Sequence, residues 1–126
     1  MIRVLLADDH PMVRLGLELA ISSAPDLVLC GSADNGVTAV TMALDTSPDV
    51  VILDVTMPGG DGIEATRQIR RLLPATGVVV LTWRVSAEDE ARKAGAHSFL
   101  LKDVAPEVLL EHIRAAFSAS SCNPIS

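Results

Sequence analysis

Five side chains able to do chemistry stand at one kind of place in this chain of 126 residues, the end of a short apolar run. The first run closes on Asp8-Asp9, the third on Asp54, the fourth on Thr82 and the fifth on Lys102. An aspartate after a strand is ordinarily a turn or cap residue. A purely structural sheet, however, has no reason to gather three anions together. Like charges that close raise each other's pKa or push the chain ends apart. A hard divalent cation removes that conflict, and carboxylate oxygens suit Mg²⁺. Lys102 is then placed to hold a second anion, such as a phosphoryl group, as a point charge. Thr82 is placed to donate a hydrogen bond to the same anion, and one aspartate can serve as nucleophile, as in aspartyl-phosphate chemistry. The spacing points to metal-assisted phosphoryl transfer onto or near a carboxylate.

These groups meet only if the runs lie side by side in one sheet. Residues 2–7, 27–32, 50–54, 78–82 and 98–101 are rich in Val, Leu and Ile. They are continuous rather than alternating, as expected of strands buried on both faces of a parallel sheet. Helical stripes lie between them: Val13, Leu17, Ala20 and Ile21; then Ala65, Ile69 and Leu72; then Leu109, Ile113, Ala116 and Phe117. Val37, Val40 and Leu44 mark a weaker one. Pro11 opens the first helix, Pro25 closes it, and Pro106 sits in the first turn of the last. Strand and helix alternate five times, which predicts a doubly wound α/β sandwich. In such a sheet ligands bind outside the carboxyl ends of the strands, where the five side chains fall.

Composition narrows the function further. Apolar residues make up 49% of the chain and charged residues 21%, enough for a packed core in a single domain. Ten Lys and Arg against 16 Asp and Glu leave a net charge of −6 and a pI near 4.8. That argues against binding nucleic acid or an anionic membrane by this segment itself. Aromatics are only 2%, with no Tyr, which removes base-stacking platforms. Cys30 and Cys122 make no disulfide framework or metal spacing, and Cys30 reads as a small core residue. No signal peptide is visible, and no run approaches the ~18 apolar residues of a membrane span. A cytoplasmic location is expected.

Four motifs stand out: Ile-Arg-Val-Leu-Leu-Ala-Asp8-Asp9-His10, then Val-Val-Ile-Leu-Asp54-Val-Thr56-Met57-Pro58-Gly-Gly-Asp61-Gly62, then Val-Leu-Thr82, then Ala94-Gly95-Ala96 and Phe99-Leu-Leu-Lys102-Asp103. Together they resemble the receiver domain of two-component response regulators. The similarity covers about residues 1–117. Asp-Asp-His-Pro and Gly62-Ile-Glu-Ala-Thr resemble the NarL/LuxR-type subfamily, whose members usually carry a helix-turn-helix DNA-binding domain after the receiver. The resemblance implies a flavodoxin-like sheet in the order 2-1-3-4-5. Asp54 would accept a phosphoryl group from a sensor histidine kinase, with Asp8, Asp9, Asp54 and the backbone carbonyl of Thr56 holding Mg²⁺. Lys102 would pair with the phosphoryl group, Thr82 would move toward it as the switch hydroxyl, and Phe99 would turn inward in response. Phosphorylation adds charge and acceptor oxygens, pulling these groups in and reshaping a bistable surface on the last helices. Homodimerisation on activation, and DNA contact only through an output domain beyond this chain, follow from the same resemblance. Residues 118–126 would be a tail or the start of a linker to that domain, and no membrane is involved. The protein would catalyse only its own phosphorylation and dephosphorylation.

Other features are open to competing readings. The segment from Thr82 to Ala94 is about two residues short for the subfamily, and its only apolar residues between Ser86 and Gly95 are alanines. A short fourth helix is expected, with Ser86 and Asp89 as its capping box. Trp83 follows the switch threonine where the family generally has a small residue, so its ring should cross the pocket mouth or swing outward. Ala105 stands where a capping Ser is common, at a cost of about 1 kcal/mol. His10 reads as a loop residue, His112 as a solvated helix position, and Arg67, Arg70 and Arg71 as a solvated basic face. Val-Val-Ile-Leu-Asp54 resembles a Walker B strand, but no G-x-x-x-x-G-K-[ST] accompanies it. Asp54-Val-Thr56 also lacks the second aspartate of a haloacid-dehalogenase-type phosphatase. Two functions stay open: a phosphorylation switch that is the input half of a transcription factor, and a stand-alone or phosphorylation-independent receiver acting as a protein-interaction module.

Overall fold

Val4, Leu5 and Leu6 are all fully buried, although successive residues of a strand face opposite ways. Both faces of β1 (Ile2–Ala7) are therefore covered. The computed structural model describes residues 1–57 and 62–121. Along the chain β1 is followed by α1 (Pro11–Ser22), β2 (Leu27–Ala33), α2 (Gly36–Thr46), β3 (Val50–Leu53), α3 (Gly62–Leu72), β4 (Gly77–Thr82), α4 (Glu88–Lys93), β5 (Ser98–Leu101) and α5 (Pro106–Ser121). The strands pair in parallel in the order β2-β1-β3-β4-β5. The doubly wound architecture expected from the sequence is the one observed.

The sheet separates two cores. Leu5, Ala7, Val51, Leu53, Val78 and Val80 pack with Ala39, Ala43, Ile69, Ala91 and Ala94 beneath α2, α3 and α4. Val4, Leu6, Val50, Ile52, Val79 and Leu81 pack with Ile21, Leu109, Ile113 and Ala116 of α1 and α5. Even and odd residues of β1, β3 and β4 thus supply different cores, which is why these runs carry no polar alternation. β1 and β2 slip by one residue between Val4 and Leu5, leaving Cys30 as the extra residue of a bulge. β5 pairs only with β4 and forms one edge of the sheet, with four residues. Among the described residues no helix is long and apolar enough to cross a membrane.

Several local expectations need correction. Helix α5 runs on through Ser121, into the segment 118–126 that the sequence marks as a tail or the start of a linker. Ser and Ala carry no apolar stripe yet tolerate the helix, and Ser120 is buried, its Oγ donating to the Ala116 carbonyl at 2.9 Å. Residues 122–126, Cys122 included, and the Pro58–Asp61 part of the motif (58–61) lie outside the described residues. Helix α4 is short, as expected, but Ser86 and Asp89 do not cap it. Ala87 takes the N-cap position without a side-chain bond, because the buried alanines Ala87, Ala91 and Ala94 set the helix register. His112 is half-buried and its Nδ1 lies 3.0 Å from Ser98 Oγ, tying α5 to the start of β5. Arg70 is not simply solvated either. Its guanidinium donates to the Pro74 carbonyl at 3.0 Å and its stem crosses Gly95, whose φ of 109° favours glycine.

Candidate functional site

The backbone ladder continues one residue past the ends of three strands, and this places the acidic site. Asp8 N–H donates to the Ala33 carbonyl, Asp54 N–H to the Ala7 carbonyl and Lys102 N–H to the Thr82 carbonyl, each at 3.0 Å. Asp8, Asp54 and Lys102 are thereby brought to the same sheet edge, with side chains no more than 2% exposed. Lys102 Nζ lies 2.7 Å from Asp8 Oδ2 and 2.8 Å from Asp54 Oδ2. Burial works against its charge, but the hydrogen bonds and charges of Asp54 and Asp8 prevail and hold the ammonium above its usual pKa. The remaining Asp54 oxygen, Oδ1, accepts from Thr56 N–H at 3.1 Å. Asp8 is braced further, since Arg14 Nη1 donates to its carbonyl at 2.8 Å.

The other expected residues sit around this pair of carboxylates. Thr82 is buried at the end of β4, and its hydroxyl accepts from Arg84 N–H at 3.3 Å. Phe99 is half-buried and packs on the core under α2, α3 and α4. Trp83 is 58% exposed, so the indole beside Thr82 meets solvent. Asp9 carries a buried oxygen, Oδ1, with no hydrogen bond. Three carboxylates, one of them with its buried oxygen, Asp9 Oδ1, 3.1 Å from His10 Nδ1, form a donor set suited to a divalent cation. Asp8, Asp9, His10 and Asp54 each offer one ligand atom, and these atoms lie within 4.8 Å of one another.

His10 is the residue that sequence reasoning missed. It occupies the N-cap of α1, where Pro11 fixes the helix start. Its Nδ1 stands 3.2 Å from Asp8 Oδ1, 3.1 Å from Asp9 Oδ1 and 4.0 Å from Asp54 Oδ2. The signal available in the sequence was its position, directly after Asp8-Asp9 and before a helix-opening proline.

Residues 4–114 match the family described as the response regulator receiver domain. The chain belongs to that family. This receiver domain is 44% identical over 118 residues to the transcriptional regulatory protein LiaR of Bacillus subtilis, covering 92% of this chain and 56% of that protein. It is 40% identical over 115 residues to the nitrate/nitrite response regulator protein NarL of Escherichia coli, covering 90% and 53%. Among solved structures, a LuxR-family two-component response regulator from Aurantimonas superposes with a TM-score of 0.88 at 33% identity, covering 94% of this chain and 86% of that one. The response regulator domain of Thermotoga maritima CheB does so at 0.87 and 34%, covering 94% and 97%. The receiver domain is thus of the NarL/LuxR type, and it spans about half the length of the curated relatives it matches.

Proposed function

We propose that this receiver domain is a phosphorylation switch with Asp54 as phosphoacceptor. The observation that carries the proposal is the buried Asp8–Lys102–Asp54 constellation at the carboxyl edge of the sheet. An Asp54 carboxylate oxygen attacks the phosphorus of a phosphohistidine on a sensor histidine kinase, the P–N bond breaks, and the histidine nitrogen leaves. Asp8, Asp9, Asp54 and the Thr56 carbonyl would hold Mg²⁺, which neutralises charge on the transferring group. Lys102 follows the phosphoryl oxygens as a point charge. Thr82 exchanges its bond from Arg84 N–H for one donated to the phosphoryl group, and Phe99 fills the space it leaves. The same side chains assist hydrolysis, so the domain catalyses only its own phosphorylation and dephosphorylation.

The names of its relatives support an output in transcription. We infer that the domain controls a DNA-binding region beyond this chain, reached by a linker after α5, acts in the cytoplasm and dimerises when activated. Acetyl phosphate with Mg²⁺ tests the chemistry. Intact-protein mass spectrometry should show one added phosphoryl group, absent in Asp54→Ala. Labelling that survives this substitution would place the nucleophile elsewhere.

A further inference from the structure

We propose that a cavity lined by α1, β2 and α2 binds a basic α-amino acid, the class of lysine and arginine. The cavity measures about 390 Å³, within the range of small-molecule sites. None of the residues given a part in phosphoryl transfer is among those that line it, so the proposal adds a second site to the domain.

Unspent hydrogen-bonding capacity carries the inference. Ser32 pairs with Leu6, which belongs to the core under α1 and α5, and Leu27 and Leu29 of the same strand supply that core too. Ser32 thus puts a hydroxyl in a row of apolar side chains. Its Oγ is buried with no hydrogen bond among the described residues, an arrangement that costs stability unless something pairs with it. Arg14 and Glu18 stand one turn apart on α1, the spacing at which opposite charges meet. They form no ion pair. Arg14 Nη1 goes instead to the Asp8 carbonyl at 2.8 Å, which leaves most donors of the guanidinium unspent. Among the described residues the Glu18 carboxylate and the Thr38 hydroxyl have no partner. Asp34 has Oδ1 taken by Asn35 Nδ2 at 2.9 Å, and its other oxygen is open.

One cation and two anions around a cavity select an occupant with the reverse pattern. A ligand carboxylate suits the planar fork of Arg14. An α-ammonium suits Glu18, with the Ser32 and Thr38 hydroxyls as further acceptors. A second ammonium or a guanidinium on the ligand side chain suits Asp34, and its methylenes suit the thioether of Met42. The net negative charge of the three groups is balanced by the net positive charge of such a molecule.

Heteronuclear NMR titration of the full chain in Mg²⁺-containing buffer tests the proposal. L-Lysine and L-arginine at millimolar concentration should shift the amides of Arg14, Glu18 and residues 32–34. Three analogues of lysine each remove one charge: cadaverine lacks the carboxylate, ε-aminocaproate the α-ammonium and norleucine the side-chain ammonium. Each should bind about tenfold or more weakly than lysine, the loss expected of one hydrogen bond to a charged group. Glu18→Gln should weaken lysine binding by a similar factor. Ser32→Ala should weaken it by a few-fold while leaving the unliganded chain no less stable in urea, since it removes an unpaired hydroxyl. The analogue series requires no variant to fold. Absence of shifts with both lysine and arginine would overturn the proposal. So would cadaverine binding as tightly as lysine, which would make the cavity a plain cation site. Shifts centred on Asp9 and Asp54 would place the ligand in the acidic site and overturn it equally, while Asp54 labelling stands.

Discussion

Gly62 lies against the carbonyl of Asp54 so closely that a Cβ built on it would stand 2.0 Å from that oxygen. Helix α3 therefore begins in van der Waals contact with the backbone of the residue proposed as phosphoacceptor, and Gly62 N–H also donates to the Val55 carbonyl. Gly62→Ala should force the two apart. Overpacking of this kind costs about 1–3 kcal/mol. Urea denaturation should show that loss, with a slower acetyl phosphate reaction; a variant as stable as wild type would mean the contact yields freely.

Lys102→Met should be destabilising for a different reason. It leaves Asp8 and Asp54 facing each other in a buried site, and removing one partner of a buried pair costs roughly 3–5 kcal/mol. Mg²⁺ should recover more stability in this variant than in wild type, because the ion then supplies the missing positive charge. Thermal melts with and without Mg²⁺ measure the difference, and an equal Mg²⁺ effect on both proteins would contradict it.

His97 couples pH to stability. Its Nδ1 accepts the Val78 N–H at 3.0 Å while the His97 backbone N–H donates to the Val78 carbonyl, so the neutral ring is part of the β4–β5 junction. Burial, with the nearby Arg70 charge second, holds its pKa below the usual 6.5. In the unfolded chain the ring takes a proton near that usual value, and in the folded chain only at lower pH. Its contribution is therefore complete above about pH 6.5 and falls as pH drops toward the folded pKa. Denaturation at several pH values should show a weaker acid-side decline in His97→Gln than in wild type. Parallel curves would remove His97 from the account.

Residues 83–93 should exchange amide hydrogens faster than the rest of the described chain. Of these residues only Ala87 and Ala91 are buried, which is little burial to set against an ordering cost of roughly 1–2 kcal/mol per residue. Strong protection across α4 would show that small side chains suffice.

Trp83 offers an optical reporter for Thr82. Mg²⁺ alone should change its fluorescence modestly, since Asp9 and Asp54, which would hold the ion, lie away from the indole's side of Thr82 in the proposed scheme. Beryllofluoride, a phosphoryl mimic, should change it more, because Thr82 must then release Arg84 N–H. No change on Mg²⁺ and beryllofluoride addition to a chain shown to be modified would make the indole a bystander.

The strands and the acidic edge were legible because both depend on local pattern. Continuous Val, Leu and Ile runs specify a sheet covered on both faces, and parallel pairing then brings Asp8, Asp54, Thr82 and Lys102 to one edge. Partners from separate elements were not legible. His112 reads as a solvated helix position until Ser98 is seen to approach it from β5, and Arg70 reads as surface until Gly95 folds beneath it. The end of α5 was not legible because its Ser and Ala residues extend the helix without leaving an apolar periodic trace. His10 reads as a loop residue in the sequence, and only the fold adds Asp54 to the Asp8 and Asp9 that precede it.

The four-residue length of β5 at the sheet edge has a consequence for how the site behaves over time. Asp8 and Asp54 follow interior strands gripped on both sides, while Lys102 and Phe99 depend on a strand held on one side. Edge pairings of this length open at free energies below that of global unfolding. Fraying β5 would withdraw the positive charge and the aromatic together, yet leave the carboxylates in register. With Asp54 as the proposed phosphoacceptor, the lifetime of its phosphorylated state should shorten or lengthen with how often this one short strand lets go.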